Sequence, residues 1–386
     1  MVVGGIPILY GKLDKAFRYL GASTTPWKSL IKGIELDSIR DLIDRVKALL
    51  IKPMQKLTLL RTYVLPRFTY ALMMCPPPKE TLRNINSTIR SGVTRILHLH
   101  ETINSAFLYT PREQGGLDLL ETYPMVYLAA LRNATKAAQS DDTIVRSTML
   151  NERSHKTYGT YAAALRLSWP ATSEQIKEGK RQIKQGYKKK WSQLIAQRQG
   201  MDDFAQPLSN AWLSRSDLLR SSRLIDAIKL RTNTYPTRMT LKRAHENVNL
   251  ICRACGEAGE TLGHILGQCI TTKAKRFKRH NEIVDLLKDR LVETNRVMVE
   301  HTIKLNGEKL KPDLVISNEE RVIVIDVTVR YENKSFLAEA AEEKVDKYIK
   351  VSMKLEGNLN FREAKVVPIV VDSRETLSAA TIDELK

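Results

Sequence analysis

The sequence predicts a multidomain, mostly α-helical chain that ends in a Cys/His knuckle and a small α/β domain. Three observations carry this. Apolar residues recur at three- and four-residue spacing through much of the N-terminal half. Three of the four cysteines fall within 18 residues. From position 283 onward, helical stretches alternate with β-branched runs. A length of 386 residues suits two or three domains at roughly 150 residues each.

Lys and Arg number 62 and Asp and Glu 43, a net charge of +19. Charged residues make up 27% and hydrophobic residues 42%, enough apolar material for ordinary cores, which excludes wholesale disorder. The positive excess calls for a polyanionic partner, nucleic acid or an anionic membrane face. No stretch approaches the roughly 18 apolar residues of a spanning helix, so no membrane is expected. The opening MVVGGIPILY lacks the basic n-region of a signal peptide. The cysteines, Cys75, Cys252, Cys255 and Cys269, are not spread as a disulfide scaffold, which points to a reducing, intracellular compartment.

The chain reads as five segments: 1–22, 23–135, 136–244, 245–282 and 283–386. In the first, Ile6 to Tyr10 and Phe17 to Gly21 are short strand-like runs, too few to make a sheet alone. In the second, Leu30, Ile34, Leu36, Ile39, Leu42, Ile43, Val46, Leu49 and Leu50 mark a helix. Pro53 and Pro66 are expected to break this region into separate helices. A stiff turn at Pro76-Pro77-Pro78 precedes a helix through Ile85, Ile89 and Val93, and Gly115-Gly116 marks a loop. The third segment is helical and more polar. Its Lys180, Arg181, Lys184, Lys188, Lys189 and Lys190 form either a solvated face or a phosphate-contacting helix, and Trp191 either packs or stacks.

In the fourth segment, Cys252, Cys255, His264 and Cys269 follow the pattern C-x2-C-x8-H-x4-C. A Cys-x2-Cys turn lets two thiolates reach one ion, and His and Cys five residues apart close the tetrahedron from the next element. The set suits a structural zinc ion; the competing reading is buried cysteines and a core histidine. His245 is a possible substitute ligand. Basic residues follow at once, among them Arg276, Lys278 and Arg279, as expected of a knuckle that touches nucleic acid.

The last segment reads helix (Ile283 to Leu291), strands (Leu314 to Ile316 and Val322 to Val329), helix (Phe336 to Met353) and strand (Lys365 to Val371). Asp313 precedes the first strand and Asp326 interrupts the second. A turn at Asn318-Glu319-Glu320 brings the two strands side by side. Two carboxylates on adjacent strands can hold Mg²⁺ with open positions. Alternatively, Asp326 is capped by backbone N–H groups or paired with a core cation. On the next helix an apolar stripe runs through Leu337, Ala341, Val345, Tyr348 and Ile349, and Lys344 borders it. A lysine there needs an anionic partner, which the two aspartates and a phosphate would supply. Lys347 is the alternative.

Taken in order, these motifs resemble the C-terminal part of the Pol polyprotein of site-specific non-LTR retrotransposons. The lineage meant has one open reading frame and a restriction-like endonuclease, as in elements inserted in ribosomal RNA genes. The motifs are the Cys/His set, Lys278-Arg279-His280-Asn281, Lys311-Pro312-Asp313, Asp326, and Lys344 to Tyr348. Upstream, Phe17 to Gly21 is similar to the primer grip of a reverse-transcriptase palm. Lys52-Pro53-x2-Lys56-Leu57, Tyr63-x2-Pro66-Arg67-Phe68 and Gly115-Gly116-Leu117 are similar to the thumb after it. Arg231-x-Asn233-x2-Pro236-Thr237-Arg238 resembles the approach to the knuckle.

The resemblance implies a palm remnant at 1–22, a helical thumb at 23–135, and a basic helical linker at 136–244. A CCHC zinc knuckle at 245–282 and a PD-(D/E)xK-type endonuclease at 283–386 would follow. It implies a magnesium-dependent nuclease with catalytic Asp313, Asp326 and Lys344, which nicks target DNA for reverse transcription of element RNA in the nucleus. No small-molecule substrate is implied. Lys188, Lys189, Lys190, Arg276, Lys278 and Arg279 are expected to bind nucleic acid. Two departures stand out. The general nuclease pattern places Lys two residues after the second acid, where this chain has Thr328; the family's shift of that lysine onto the following helix fits Lys344. No Tyr/Phe-x-Asp-Asp occurs before residue 23, so this chain alone is not expected to polymerise, and a fragment or truncated copy is expected. The alternative to the nuclease is a non-catalytic nucleic-acid-binding remnant.

Overall fold

A computed structural model describes residues 2–3, 6–7, 15–19, 22–25, 29–30, 36–204, 208–215, 219–244, 247–305, 307–318, 321–332, 335–359, 363–374 and 376–384. Helices dominate, with one small mixed sheet near the C-terminal end. The chain divides into two units, Met1–Glu101 with Asp118–Tyr187, and Thr102–Leu117 with Lys188–Lys386. Among the described residues no helix is long and apolar enough to cross a membrane.

In the first unit, Phe17–Tyr19 pairs with Ala22–Thr25, and Ala22–Thr25 with Ser29–Leu30. The remainder of the two strand-like runs, 8–10 and 20–21, lies outside the described residues. Leu30 is therefore in a strand, its backbone paired with Thr24, and not in the helix its spacing suggests. That helix, α1, spans Leu36–Ala48 and buries Ile39, Ile43 and Val46. It packs on α4 (Lys79–Ile96), which buries Leu82, Ile85, Ile89 and Val93. The contact is close at Gly92, where a Cβ would stand 2.4 Å from Ile43 Cγ2.

Between them lie α2 (Pro53–Leu59) and α3 (Leu65–Met74). Pro53 starts its helix, as a residue without an N–H can. Pro66 does not break the chain of helices, contrary to the sequence expectation. Leu60–Val64 widens into a π-turn, and the Leu65 N–H reaches back to the Leu60 carbonyl. The wider turn shifts the register and lets Pro66 sit in the first turn of α3. The unit continues with α5 (Thr122–Ala138), α6 (Thr143–Leu150), α7 (Glu152–Ala164) and α8 (Ser173–Ser192), whose residues from Lys188 on belong to the second unit. Leu131, Ala162, Ala171 and Ile176 form its smaller core.

In the second unit, Thr102–Leu117 packs with residues far along the chain. Phe107 meets the Trp191 ring edge-on at 5.3 Å, and the Asn104 N–H donates to Gln197 Oε1 at 2.9 Å. Trp191 packs: it is fully buried and donates its indole N–H to the Gln197 carbonyl at 2.7 Å. Next come α9 (Ser221–Arg231) and α10 (Arg238–Ala244). Arg231 is buried between Phe204 and Trp212 and donates to Asn210 Oδ1 and the Ser209 carbonyl.

After the cysteine loop, α11 runs Lys273–Leu291 without interruption. The sequence shows this helix only from Ile283, because the first half presents charged residues and a 59% exposed Phe277 and so has no apolar period. The sheet contains β1 (Arg296–Val299), β2 (Leu314–Ser317) and β3 (Arg321–Arg330). Helix α12 (Phe336–Leu359) crosses over to β4 (Glu363–Asp372), and β5 (Thr376–Leu377) closes the edge. The order is β5-β4-β3-β2-β1; β3 and β4 are parallel and the other pairs antiparallel.

Both faces of this sheet are covered, which is why β3 is almost continuously β-branched. Val284 of α11 packs with Leu314, Ile316, Ile325, Val327 and Ile369 on one face. Tyr348 and Val351 of α12 pack with Val315, Val322, Val324 and Val366 on the other. Strand side chains alternate, so Asp326 shares the face of Val322 and Val324 and is turned towards α12.

Candidate functional site: a Cys/His centre and a carboxylate–lysine cluster

The cysteine loop is built from local hydrogen bonds. The Cys252 N–H donates to the Ala258 carbonyl at 2.7 Å, and Glu260 N–H to the Leu250 carbonyl at 2.8 Å. At the tip the chain reverses through Gly256, with φ of +73°, where a side chain would be strained. His264 opens a π-turn ending at Cys269, whose N–H donates to the His264 carbonyl at 2.7 Å. The ligand atoms of Cys252, Cys255, His264 and Cys269 all lie within 4.8 Å of one another. Cys255 Sγ and His264 Nε2 are 3.4 Å apart. A tetrahedral ion with bonds near 2.3 Å holds its ligands roughly 3.8 Å apart, so the set fits a metal such as zinc. The Thr271 hydroxyl, 3.0 Å from Cys269 Sγ, and the neighbouring thiols bring the Cys269 thiol down to about 6, towards the thiolate that binds metal. His245 lies outside the described residues.

The sequence reading missed Glu260. It is 2% exposed and holds the loop from inside, accepting from the backbone N–H groups of Arg238 and Arg253 and from the Arg253 guanidinium. Burial alone would raise its pKa, but these donors outweigh it and bring the carboxyl down to about 2.

The second cluster assembles over longer range. Leu314 pairs with Ile325 in the β2–β3 register, so Asp313 falls one step further, alongside Asp326. Asp326 is buried, and Lys344 Nζ lies 2.6 Å from its Oδ2. Lys344 is on the stripe Leu337–Ala341–Lys344–Tyr348–Val351, at spacings of three and four, whereas Ile349 is 38% exposed. Lys347 points elsewhere, its Nζ 4.8 Å from the centre of the Tyr348 ring. The Tyr348 hydroxyl donates to the Lys311 carbonyl at 3.1 Å, fixing α12 to the loop that carries Asp313. Described residues at the intervening turn include Asn318 and Arg321, joined at 3.0 Å; Glu319 and Glu320 lie outside them.

A fourth residue, His280 of α11, had no role in the sequence reading. Its Nε2 lies 3.2 Å from Asp313 Oδ2 and 3.1 Å from the Val327 carbonyl. Asp313 Oδ2 also accepts the Val327 N–H at 2.7 Å. The Asp313 hydrogen bond raises the imidazole to about 9 against the effect of burial. Burial raises the Asp313 carboxyl, but His280 and the Val327 N–H outweigh it and hold it below the ordinary range. It was visible only as a member of the motif Lys278-Arg279-His280-Asn281, ahead of the helix that the sequence shows from Ile283, and the motif carries no signal of its partner.

The basic candidates divide. Lys189 and Lys190 are exposed in the last turn of α8, and Lys188 is partly buried there. Arg276 is partly buried, and exposed Lys278 lies 3.9 Å from Glu282. Arg279 turns inward and donates to the Leu266 carbonyl at 3.3 Å, tying α11 to the cysteine loop.

A knuckle followed by a sheet bearing two aspartates and a helix lysine is the order expected of a mobile-element Pol protein, and sequence comparison supports that class. The chain is similar to the Pol polyproteins of R2 retrotransposable elements. It is 27% identical over 97% of its length to a Pol polyprotein from a type-1 element R2 of Popillia japonica, covering 76% of that protein. It is 26% identical over 94% of its length to that of the type-2 element R2DM of Drosophila melanogaster, covering 34%. With a type-1 R2 protein of Bradysia coprophila the identity is 29% over 82% of the chain and 36% of the relative. No established family profile matches the sequence.

Proposed function

We propose that the chain is a magnesium-dependent DNA endonuclease acting in the nucleus, which nicks target DNA so that the exposed 3′ end primes reverse transcription of element RNA. The observation that carries this is the Lys344–Asp326 contact beside Asp313. The donor set suits a hard cation: two carboxylates and the Val327 carbonyl offer oxygens, and Mg²⁺ takes one or two carboxylates and keeps several waters. When bound, such an ion would polarise the phosphodiester and lower the pKa of an attacking water. Lys344 supplies positive charge where the phosphate gains negative charge. Asp326 holds that ammonium in place, and His280 with the Val327 N–H fixes the Asp313 carboxylate. The Cys/His set would hold structural zinc, with all four positions filled by protein. Arg276, Lys278 and Lys188 to Lys190 would contact phosphates. Polymerisation and site choice are proposed for the parent polyprotein.

The second reading, a binding remnant, draws on the same contacts, since both carboxylates already have protein partners. Supercoiled DNA separates the two. The nuclease reading expects nicking with Mg²⁺, none without it, and none by Asp313→Ala or Asp326→Ala. The nick should end in a 3′-hydroxyl that a polymerase extends. DNA binding without magnesium-dependent nicking would favour the remnant.

A further inference from the structure

Beside the cysteine loop, the second unit holds a cleft of about 510 Å³. One wall is the Cys/His loop, a second is the segment 233–243, and a third is the end of β3 with the start of α12. Val329, at its edge, is three residues beyond Asp326 on β3, roughly 10 Å along the strand. The volume falls in the range of small-ligand sites.

The lining has a consistent chemistry. No Asp or Glu is among the lining residues, while Arg243 and Arg330 are. Arg330 is paired with Glu343, but exposed Arg243 has no carboxylate partner among the described residues. Phe336 offers an aromatic ring that is 42% exposed. The Gln268 side-chain amide is exposed and has no hydrogen-bond partner among the described residues. The Tyr331 wall is rigid. Its hydroxyl donates to Gln199 Oε1 at 2.7 Å, and its ring packs 4.5 Å from the Arg374 guanidinium. A Cβ added at Gly263 would stand 3.1 Å from that ring, so the loop is drawn tightly against it.

An exposed ring, an amide able to donate and accept, and an unpaired guanidinium in a lining without Asp or Glu match one ligand chemistry. A base stacks on the ring, its edge meets the amide, and its phosphate meets the cation. We propose that this cleft takes an unpaired nucleobase of a single strand whose neighbouring phosphates run towards Asp326. The inference rests on the nucleic-acid reading above and adds a subsite to it. It also gives the Cys/His loop a task, as one wall of that subsite.

The test uses the full chain, loaded with zinc and without added magnesium. The probes are a single-stranded DNA carrying one 2-aminopurine, the same sequence as RNA, and the DNA as a duplex. The inference expects quenching of the 2-aminopurine on binding. Phe336→Ala should lose the quench and weaken single-strand binding about 10-fold, and Gln268→Ala should weaken it less. Duplex binding should change less than about 2-fold, because paired bases are not available to stack. Zinc content and circular dichroism check that each variant is folded. Quenching with DNA alone, RNA alone or both supports the subsite and identifies the strand it serves. Equal losses on single strand and duplex, or no loss from either variant, would overturn it. Nicking without a base signal would sink this inference alone; a base signal without nicking would sink the nuclease reading alone.

Discussion

The Cys/His centre draws its four ligands from 18 consecutive residues, 252–269. The carboxylate–lysine cluster draws Asp313, Asp326, Lys344 and His280 from the loop before β2, from β3, from α12 and from α11. The first is local: a tight turn, its backbone hydrogen bonds and the buried Glu260 bring the four ligand atoms together. The second exists only once a sheet has paired in register and a helix has docked on each face. The difference separates what would hold each centre together: the bonds of a bound ion in one, packing in the other.

The sharpest test of this comparison is removal of metal from the Cys/His centre. Apparent binding energies in such sites are roughly 10–16 kcal/mol, so Cys255→Ser or chelation should unfold the loop. Hydrogen exchange should then become fast across residues 250–272, while β3 and β4 stay protected. Loss of protection in the strands as well would show that the two centres are not independent.

Next in size are the cluster variants. Lys344→Met should slow nicking by about 100-fold, whereas Lys347→Met should stay within about 3-fold, because Lys347 lies over Tyr348 and away from the carboxylates. His280→Gln should cost about 10- to 100-fold through loss of Asp313 positioning. Rates on plasmid DNA at saturating Mg²⁺ measure all three, and a larger loss from Lys347→Met than from Lys344→Met would reverse the assignment.

The smallest effect is at Glu260. Arg253 is half exposed, so the pair's contribution is discounted for solvent, and Glu260→Gln should cost about 1–2 kcal/mol in urea unfolding at neutral pH. The Glu260 carboxyl falls from an ordinary 4.5 to about 2 on folding. Its stabilisation is therefore complete above pH 4.5 and fades as pH falls towards 2. The gap between wild type and variant should narrow over that window, and a gap that widens there would contradict the sign.

The same contrast explains what was legible in the sequence. Spacing alone picked out the four Cys/His residues whose ligand atoms the fold brings within 4.8 Å of one another, because a local loop leaves its geometry in the numbering. The two aspartates were visible as an interruption and a flank of β-branched runs, but Lys344 and Lys347 both remained open. What separates them is helix phase: the buried stripe passes from Ala341 to Tyr348 through Lys344. His280 and Glu260 were not assigned, since each is defined by partners over a fold that spacing does not encode. Pro66 misled for a related reason. Proline signals a break, and the π-turn that absorbs it has no apolar period of its own.

The most direct test of the carboxylate cluster measures binding and cutting on one preparation. Wild type and Asp326→Asn would be compared on supercoiled DNA, with gel-shift affinity measured before Mg²⁺ is added and nicking followed after. The account predicts affinities within about 2-fold and nicking reduced by about 1000-fold or more in the variant. Equal nicking by both proteins, or binding by both with no nicking by either, would contradict it.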